Sequence, residues 1–239
     1  MVPGPERPLE IYVSYGTVKS ASTFAFELTK RMFIQNGFEQ PRLSDDAVEP
    51  GHNINFVTRW DEDRVDALRA EAQRHHTVPV LKTHARPSRP IVELLESGVA
   101  AAHAVYRDPR DMALSLMDAG RAARAKERRA FSEIVTLDDA TEHVERHLAN
   151  FDLWTGLTGV EPVDYATVTA DTASFASVLG DQTGLTFDHE AATAHVTENE
   201  FIQFNQGHQR RHESEMSAAD SERIVERFAS FYERFPGLR

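Results

Sequence analysis

The stretch from residue 11 to residue 33 constrains the fold more than any other part of the chain. Residues 11–15 are β-branched and aromatic apart from one serine, a composition that favours a strand. Gly16 ends that run, and Ser22 or Thr23 is placed to cap a helix. The apolar residues of this helix recur at helical spacing: Phe24, Leu28, Met32 and Phe33. The sequence therefore predicts a strand, a loop and a helix in direct succession.

The loop between this strand and helix is suited to binding an anion. Loop N–H groups and the N-terminus of a helix converge at such a junction, and both favour negative charge. Lys19 adds a positive charge, while Ser20, Ser22 and Thr23 add hydroxyl donors. Phosphate is the commonest ligand of this arrangement, so the loop predicts a phosphate site.

The spacing of this loop does not match a Walker-A nucleotide loop. That pattern needs glycine and lysine five and six residues after its first glycine, and Ala21 and Ser22 stand there after Gly16. Residues 18–24, Val-Lys-Ser-Ala-Ser-Thr-Phe, resemble instead the 5′-phosphosulfate loop of sulfotransferases that use 3′-phosphoadenosine 5′-phosphosulfate (PAPS), usually Pro-Lys-Ser-Gly-Thr-Thr-Trp. They depart from it at Val18, Ala21, Ser22 and Phe24. The resemblance implies cofactor contacts from Lys19, Ser20, Ala21, Ser22, Thr23 and Phe24, with the last as a platform for adenine.

A second informative segment is Thr77–His84, a short apolar run that ends in Lys82, Thr83 and His84. Ligands of parallel α/β sheets bind at the carboxyl ends of strands, where side chains on alternate positions project together. A single histidine in such a place is more often structural than catalytic. The spacing Lys-Thr-His-x-x-Pro, however, resembles the catalytic segment of the same sulfotransferases. The resemblance implies that His84 is the general base and that Lys82, with Lys19, contacts the transferring group.

A third strand is predicted at Ala100–Tyr106, and Arg107 follows it directly. Asp108 is placed to cap a helix with Pro109 at its first position and Asp111 reaching back. The segment resembles the 3′-phosphate site of the family, an Arg-x-Pro-(Arg/Lys)-Asp run followed by serine. The resemblance implies that Arg107 and Ser115 bind the 3′-phosphate, for which the forked donors of a guanidinium are well suited.

Two later segments also carry a resemblance to these sulfotransferases. Residues 162–168 predict a fourth strand, and Tyr165 matches the tyrosine at its end that contacts the adenine nucleoside. Residues 201–216 resemble the loop of bacterial sulfotransferases, Asn-Lys-Gly and then Arg-Trp, which folds over the adenosine and 3′-phosphate. That resemblance implies cofactor contacts from Gly207, Arg210 and Arg211. Ser217 is then placed to cap a final amphipathic helix.

Three other features leave alternatives open. The basic run of residues 121–129 fits either a solvated helix face or a lid over the cofactor. His143 and His147 have a spacing that can bind zinc, but the glutamate of the metalloprotease pattern is misplaced, so no metal is predicted. Residues 35–75 and 118–150 match no family pattern and would shape the acceptor site.

Composition limits the class of protein. With 239 residues, of which 41% are hydrophobic and 27% charged, the chain suits one globular domain whose first eight residues form a disordered lead-in. It has no cysteine, which excludes disulfides and thiolate chemistry. No apolar run approaches the roughly 20 residues of a membrane span, and the beginning lacks the apolar region of a signal peptide. We therefore expect a cytoplasmic protein, and its net charge of −12 argues against nucleic-acid partners.

Together these observations predict a single three-layer α/β domain with a central parallel sheet, the P-loop-NTPase-like fold of sulfotransferases. The expected activity moves a sulfuryl group from PAPS, without a metal, to a small-molecule, sugar or lipid acceptor. Two alternatives remain at the level of sequence. One is a small-molecule kinase of the P-loop type, which would need magnesium. The other is a nucleotide-binding protein without catalytic activity.

Overall fold

A computed structural model describes residues 8–199 and 209–239 of the chain. These residues form two compact units. The first unit contains residues 8–17, 21–106 and 150–199, and the second contains residues 18–20, 107–149 and 209–239. Most of the predicted lead-in, and residues 200–208, lie outside the described residues.

The first unit contains a five-stranded parallel sheet. Its strands are β1 (Ile11–Gly16), β2 (Phe56–Val57), β3 (Val80–Thr83), β4 (Ala100–Tyr106) and β5 (Val160–Asp164), in the order β2-β3-β1-β4-β5. The predicted central parallel sheet is therefore confirmed. β1 is the middle strand, so the loop that follows it leaves from the centre of the carboxyl edge.

The helices follow the strands in chain order. They are α1 (Ser22–Gln35), α2 (Glu62–His75), α3 (Arg89–Glu96), α4 (Pro109–Ala125), α5 (Leu137–Thr155), α6 (Tyr165–Ala170), α7 (Thr172–Thr183), α8 (His189–Asn199), α9 (His212–Glu215), α10 (Ala218–Arg227) and α11 (Ala229–Arg234). A short 3₁₀ turn, Pro236–Leu238, closes the chain. Within the described ranges, no helix is both long and apolar enough to cross a bilayer.

Helices cover both faces of the sheet in the first unit. α1, α6, α7 and α8 pack on one face, around a buried cluster that includes Tyr12, Phe33, Val80 and Phe175. α2 contacts β1, α3 contacts β4, and the two helices pack against each other on the opposite face. Since successive strand residues point to opposite faces, a fully buried sheet needs apolar residues at nearly every position, and β1 is buried throughout.

A chain of polar side chains, of which three are buried and one is half-buried, runs through the core of the first unit. The Tyr12 hydroxyl donates to Gln182 Oε1 at 2.6 Å and lies 3.3 Å from His103 Nδ1, while His103 Nε2 lies 2.9 Å from the Ser14 hydroxyl. Because the tyrosine has a single proton to give, the consistent pattern is donation from His103 Nδ1–H to Tyr12 and from Ser14 to Nε2. Burial lowers the pKa of His103 to about 3, which keeps this ring neutral.

The second unit is organised around the start of α4. Asp108 caps the helix by accepting from the Arg110 backbone N–H, with Pro109 in the first turn, as the sequence predicts. The Asp108 carboxylate also binds the Arg110 guanidinium, with Nη2 and Oδ2 2.6 Å apart, and accepts from the Tyr232 hydroxyl at 2.8 Å. Arg110 Nη2 donates further to the Leu238 carbonyl at 2.6 Å. These buried contacts hold the last residues of the chain against α4.

Several predicted boundaries are wrong. The cap of α1 is neither Ser22 nor Thr23 but Ala21, whose backbone is left-handed. The strand predicted at residues 162–168 ends at Asp164, because this aspartate accepts from the Ala166 N–H and starts α6. Asp111 does not reach back to its own helix start; it binds Arg107 and His212. The final helix starts at the predicted Ser217 cap but is interrupted at Phe228, which separates α10 from α11.

Candidate active site

The loop after β1 has an unusual backbone. Lys19 and Ala21 have φ angles of 67° and 63°, in the left-handed region that favours glycine. The side chain of Ala21 has no acceptor atom, so it cannot cap the first turn of α1. N–H groups at an uncapped helix start are the ones that bind anions in proteins. Ser20 is fully buried and Ser22 nearly so beside this turn.

Phe24 is not on the protein surface. Its ring is 4% exposed and belongs to the apolar cluster under α1. A ring in that position packs the helix on the sheet and offers little face to an adenine. The aromatic residue at this place in the sequence therefore contributes to the core.

Lys82 lies at the end of β3 and reaches the first turn of α1. Its ammonium donates to Thr23 Oγ1 at 2.6 Å, and only 7% of the residue is exposed. Burial lowers the pKa of Lys82 from 10.5 to about 8, although the nearby negative charge of Glu27 raises it. Glu27 is itself buried one turn into α1, where it pairs with Lys30. The sequence did not single out Glu27, because its nearness to Lys82 exists only in the folded chain.

His84 follows β3 and turns towards the end of β1. Its Nδ1 lies 2.6 Å from the carbonyl oxygen of Gly16. A carbonyl can only accept, so Nδ1 carries the proton, and in the neutral ring Nε2 then carries the lone pair. The ring packs at 5.8 Å, edge to face, against Phe56 of β2. The contact therefore places the proton of a neutral imidazole on Nδ1.

The segment after His84 is held in place by two tryptophans. Trp154 Nε1 donates to the carbonyl of Ala85 at 2.8 Å. The indole stacks on Tyr15 with ring centres 5.3 Å apart and meets Trp60 edge to face at 6.1 Å. Rigid rings on both sides fix the course of the backbone next to the imidazole.

In the second unit, Arg107 and Lys19 lie in one neighbourhood. Arg107 Nη1 donates to the Lys19 carbonyl at 3.4 Å, and the guanidinium is nearly buried. Burial lowers the pKa of Lys19; the charge of Asp118 opposes this effect and that of Arg107 adds to it. The Lys19 ammonium also lies 5.9 Å from the centre of the Phe131 ring. The two cations for which the sequence predicts phosphate contacts are therefore close enough to influence each other.

Asp111 orients Arg107. Its Oδ2 accepts from Arg107 Nη2 at 3.0 Å, while Oδ1 lies 2.9 Å from His212 Nδ1 and accepts from the His212 backbone N–H at 3.0 Å. Burial by itself raises the pKa of Asp111, but the hydrogen bonds from His212 and the charge of Arg107 bring it below its ordinary value. Arg107 and Asp111 are four positions apart at the start of a predicted helix, and this spacing could have indicated the ion pair from the sequence.

The remaining predicted cofactor residues belong to several different elements of the chain. Arg211 binds Asp118 at 2.8 Å and Glu215 at 2.6 Å, and Arg210, which is exposed, binds Glu213 at 2.6 Å. Ser115 is buried in α4 and Tyr165 is buried at the first position of α6. Gly207 lies outside the described residues.

A metal site is not formed by the described residues. Nowhere in residues 8–199 and 209–239 do three histidine, cysteine, aspartate or glutamate side chains come together as ligands would. His143, one of the two histidines with zinc-like spacing, lies 3.3 Å from Glu133 instead.

Solved structures that align with nearly the whole chain include sulfotransferases. The structure of a sulfotransferase from Alicyclobacillus acidocaldarius aligns with a TM-score of 0.50 and 14% identity, over 97% of this chain and 95% of that chain. A sulfotransferase domain from the Synechococcus PCC 7002 olefin synthase aligns with a TM-score of 0.47 and 13% identity, over 96% and 97% of the two chains. No protein-family model matches this chain, and no curated protein matches it. The first alignment shows that the chain has a sulfotransferase fold, as its loop sequences predict.

Proposed function

We propose that this protein is a PAPS-dependent sulfotransferase that transfers a sulfuryl group to an acceptor hydroxyl, or less readily an amine. The observation that carries the proposal is the 2.6 Å contact between His84 Nδ1 and the Gly16 carbonyl. It gives the imidazole a proton-accepting Nε2 at the carboxyl edge of the sheet, where parallel α/β proteins bind their ligands. The sulfotransferase fold supports the same conclusion.

The residues present suit the two anionic ends of PAPS. The uncapped start of α1, the hydroxyls of Ser20, Ser22 and Thr23, and the Lys19 ammonium would bind the 5′-phosphosulfate. Arg107, a nearly buried guanidinium already oriented by Asp111, would bind the 3′-phosphate together with Ser115. Tyr165, Gly207, Arg210 and Arg211 are proposed contacts of the adenosine side, and the last two would exchange carboxylate partners for the ligand.

The chemistry assigns one task to each group. The bound cofactor supplies a sulfuryl group on a phosphate leaving group, so an S–O bond to the acceptor forms as the S–O bond to the phosphate breaks. His84 Nε2 takes the acceptor proton, which contributes about 10²–10⁴-fold in rate when the base is well placed. Lys82 and Lys19 would stabilise the negative charge that develops on the phosphate oxygen. The acceptor class is proposed to be a small molecule, sugar or lipid with a free hydroxyl.

Ligand-induced stabilisation distinguishes this proposal from the kinase alternative. A ligand at about 100 times its dissociation constant stabilises a protein by roughly 2.7 kcal/mol. We expect 3′-phosphoadenosine 5′-phosphate (PAP) to raise the Tm without metal and ADP with magnesium to leave it unchanged. The reverse result would favour a kinase.

Two variants then separate catalysis from binding. His84→Ala should keep PAP binding and lose most turnover with PAPS and a panel of hydroxylated acceptors. Arg107→Ala should mainly weaken PAP binding. A fully active His84→Ala enzyme would refute the assignment, and PAP binding without turnover by the unaltered protein on any acceptor would favour a nucleotide-binding role.

A further inference from the structure

A groove of about 800 Å³ begins at the residue after His84. It is lined by two segments of the first unit, residues 58–63 after β2 and residues 85–90 after β3. Both segments leave the carboxyl edge of the sheet. The groove therefore starts one peptide bond away from the proposed general base, and the assignment of its ligand rests on the proposed function.

One wall of the groove is supported from behind by two tryptophan rings in contact with each other. Trp60 is 2% exposed, and its ring meets that of Trp154, whose Nε1 holds the Ala85 carbonyl. The Ser88 hydroxyl donates to the Trp60 carbonyl and so joins the two segments. The Trp60 Nε1–H is a buried donor for which the described residues provide no acceptor. Such a group is uncommon in proteins and is often satisfied by a ligand or water.

Two of the three arginines that line the groove are neutralised by carboxylates. Arg59 pairs with Asp61 at 2.8 Å, and Arg89 pairs with Glu93 at 2.6 Å and also feels the charge of Glu62. Arg86 is exposed, and among the described residues no carboxylate or carbonyl binds its guanidinium. Glu62 and Asp63, both in the first turn of α2, are the lining carboxylates without an ion pair among the described residues, and the helix start favours their charge.

Arg86 is close to His84 by construction. The two residues are two positions apart in the sequence, which limits the distance between their Cα atoms to roughly 7 Å. Pro87 restricts Arg86 to an extended backbone, so the direction of this side chain is partly fixed. A guanidinium at this distance from a base suits an acceptor whose reacting hydroxyl and anionic group lie a few bonds apart.

We propose that this groove binds the acceptor and that the acceptor carries a carboxylate, held by Arg86 while its hydroxyl faces His84. A neutral or cationic acceptor would leave the guanidinium without a counter-ion. Arg86 would then determine specificity and would not take part in the transfer itself. Its contribution is to binding of the acceptor, not to the stability of the fold.

The two tryptophans provide a readout that does not require turnover. The chain has no tryptophan besides Trp60 and Trp154, so its intrinsic fluorescence reports on this wall. Two non-absorbing probes, trans-4-hydroxycyclohexanecarboxylate and the corresponding carboxamide, have nearly the same shape, but only the first carries a negative charge. We expect the carboxylate to change the emission saturably and to bind about tenfold more tightly than the carboxamide, at fixed ionic strength.

Two exposed arginines of the groove give a matched pair of variants. Arg86→Gln should remove the preference for the carboxylate, whereas Arg59→Gln should keep it, because Arg59 is already paired with Asp61. Equal binding of both probes to the unaltered protein, no saturable response to the carboxylate, or a preference that survives Arg86→Gln would each overturn the inference. Selective binding of the carboxylate together with no sulfuryl transfer from PAPS to any acceptor would refute the proposed function and leave the groove assignment intact.

Discussion

His212 Nδ1 and the backbone N–H of the same residue both contact Oδ1 of Asp111, at 2.9 and 3.0 Å. The second carboxylate oxygen accepts from Arg107 at 3.0 Å. One buried carboxylate therefore positions Arg107, which is proposed to bind the 3′-phosphate, and also fixes the start of α9. Asp111 and His212 are 101 positions apart in the sequence, so the contact joins two distant segments of the chain that both belong to the second unit.

Asp111→Asn should weaken PAP binding and reduce stability together. The amide loses the charge that orients Arg107, and breaking a buried ion pair costs about 3–5 kcal/mol. Calorimetric titration with PAP and urea unfolding measure the two effects. Asp220→Asn, at an exposed ion pair with Arg223, is the matched control and should change neither. Unchanged PAP affinity in Asp111→Asn would show that Arg107 does not depend on this carboxylate.

The same carboxylate predicts a loss of stability in acid. The pKa of Asp111 in the folded chain lies below its ordinary value, so the folded state favours the charged form. Its contribution is present at neutral pH and is lost as the pH falls through the lowered pKa. Asp111→Asn should accordingly show a smaller decrease in unfolding free energy between neutral pH and acid than the unaltered protein.

The lowered pKa of Lys82 leads us to expect opposite effects of alkaline pH on activity and on stability. Its pKa is about 8 in the folded chain and 10.5 ordinarily, so between these values the unfolded chain binds the extra proton. Stability should rise with pH in this window, while kcat/KM should fall above pH 8 as the ammonium is lost. Urea unfolding and initial rates across this range test both. Lys82→Met should abolish the rise in stability, and Lys126→Met, at an exposed lysine, should retain it.

Ala21→Gly should stabilise the protein. A left-handed conformation costs a residue with a Cβ about 1–2 kcal/mol, and glycine avoids this cost but gains entropy in the unfolded chain. A net gain on the order of 1 kcal/mol would raise the Tm by about 2–4 °C in a chain of this size. Ala70→Gly, at an exposed helical position of α2, should lower the Tm instead. A lower Tm for Ala21→Gly would show that the φ of 63° carries no strain.

Asp118→Asn should tighten PAP binding. The Asp118 carboxylate raises the pKa of Lys19 and pairs with Arg211, so it competes with a ligand phosphate for both cations. Its removal should lower the dissociation constant of PAP several-fold, with a steeper dependence on salt. Asp138→Asn, at an exposed pair with Arg223, controls for the change in net charge. Weaker PAP binding would mean that Asp118 orients these cations for the ligand.

Local signals predicted the parts of the fold that depend on neighbouring residues. Hydrophobic runs ending in polar residues located β1, β3 and β4, and Asp108 with Pro109 located the start of α4, because a cap acts within one turn of chain. β2 was missed, since a strand of two residues exists only through its pairing with β3. Ala21 was missed as a cap, because nothing in its side chain indicates a left-handed backbone.

The sequence located only the basic side chains of the candidate site. Lys82 lies at the end of β3, His84 follows that strand and Arg107 follows β4, so their positions at strand ends could be predicted from sequence alone. The partners that set their chemistry are distant in sequence: Glu27 near Lys82, Gly16 at His84, and His212 beyond Asp111. Phe24 illustrates the converse, since its ring packs in the core where the loop resemblance implied a surface for adenine.

The polar chain from Ser14 through His103 and Tyr12 to Gln182 limits which substitutions this core can accept. Each member of the chain is the hydrogen-bond partner of the next. An apolar substitution at one position therefore leaves a donor or acceptor of its neighbour without a partner. Libraries that vary these four positions one at a time would return only weakened proteins. An all-apolar replacement has to be sought among quadruple substitutions, whose effects cannot be summed from the single ones.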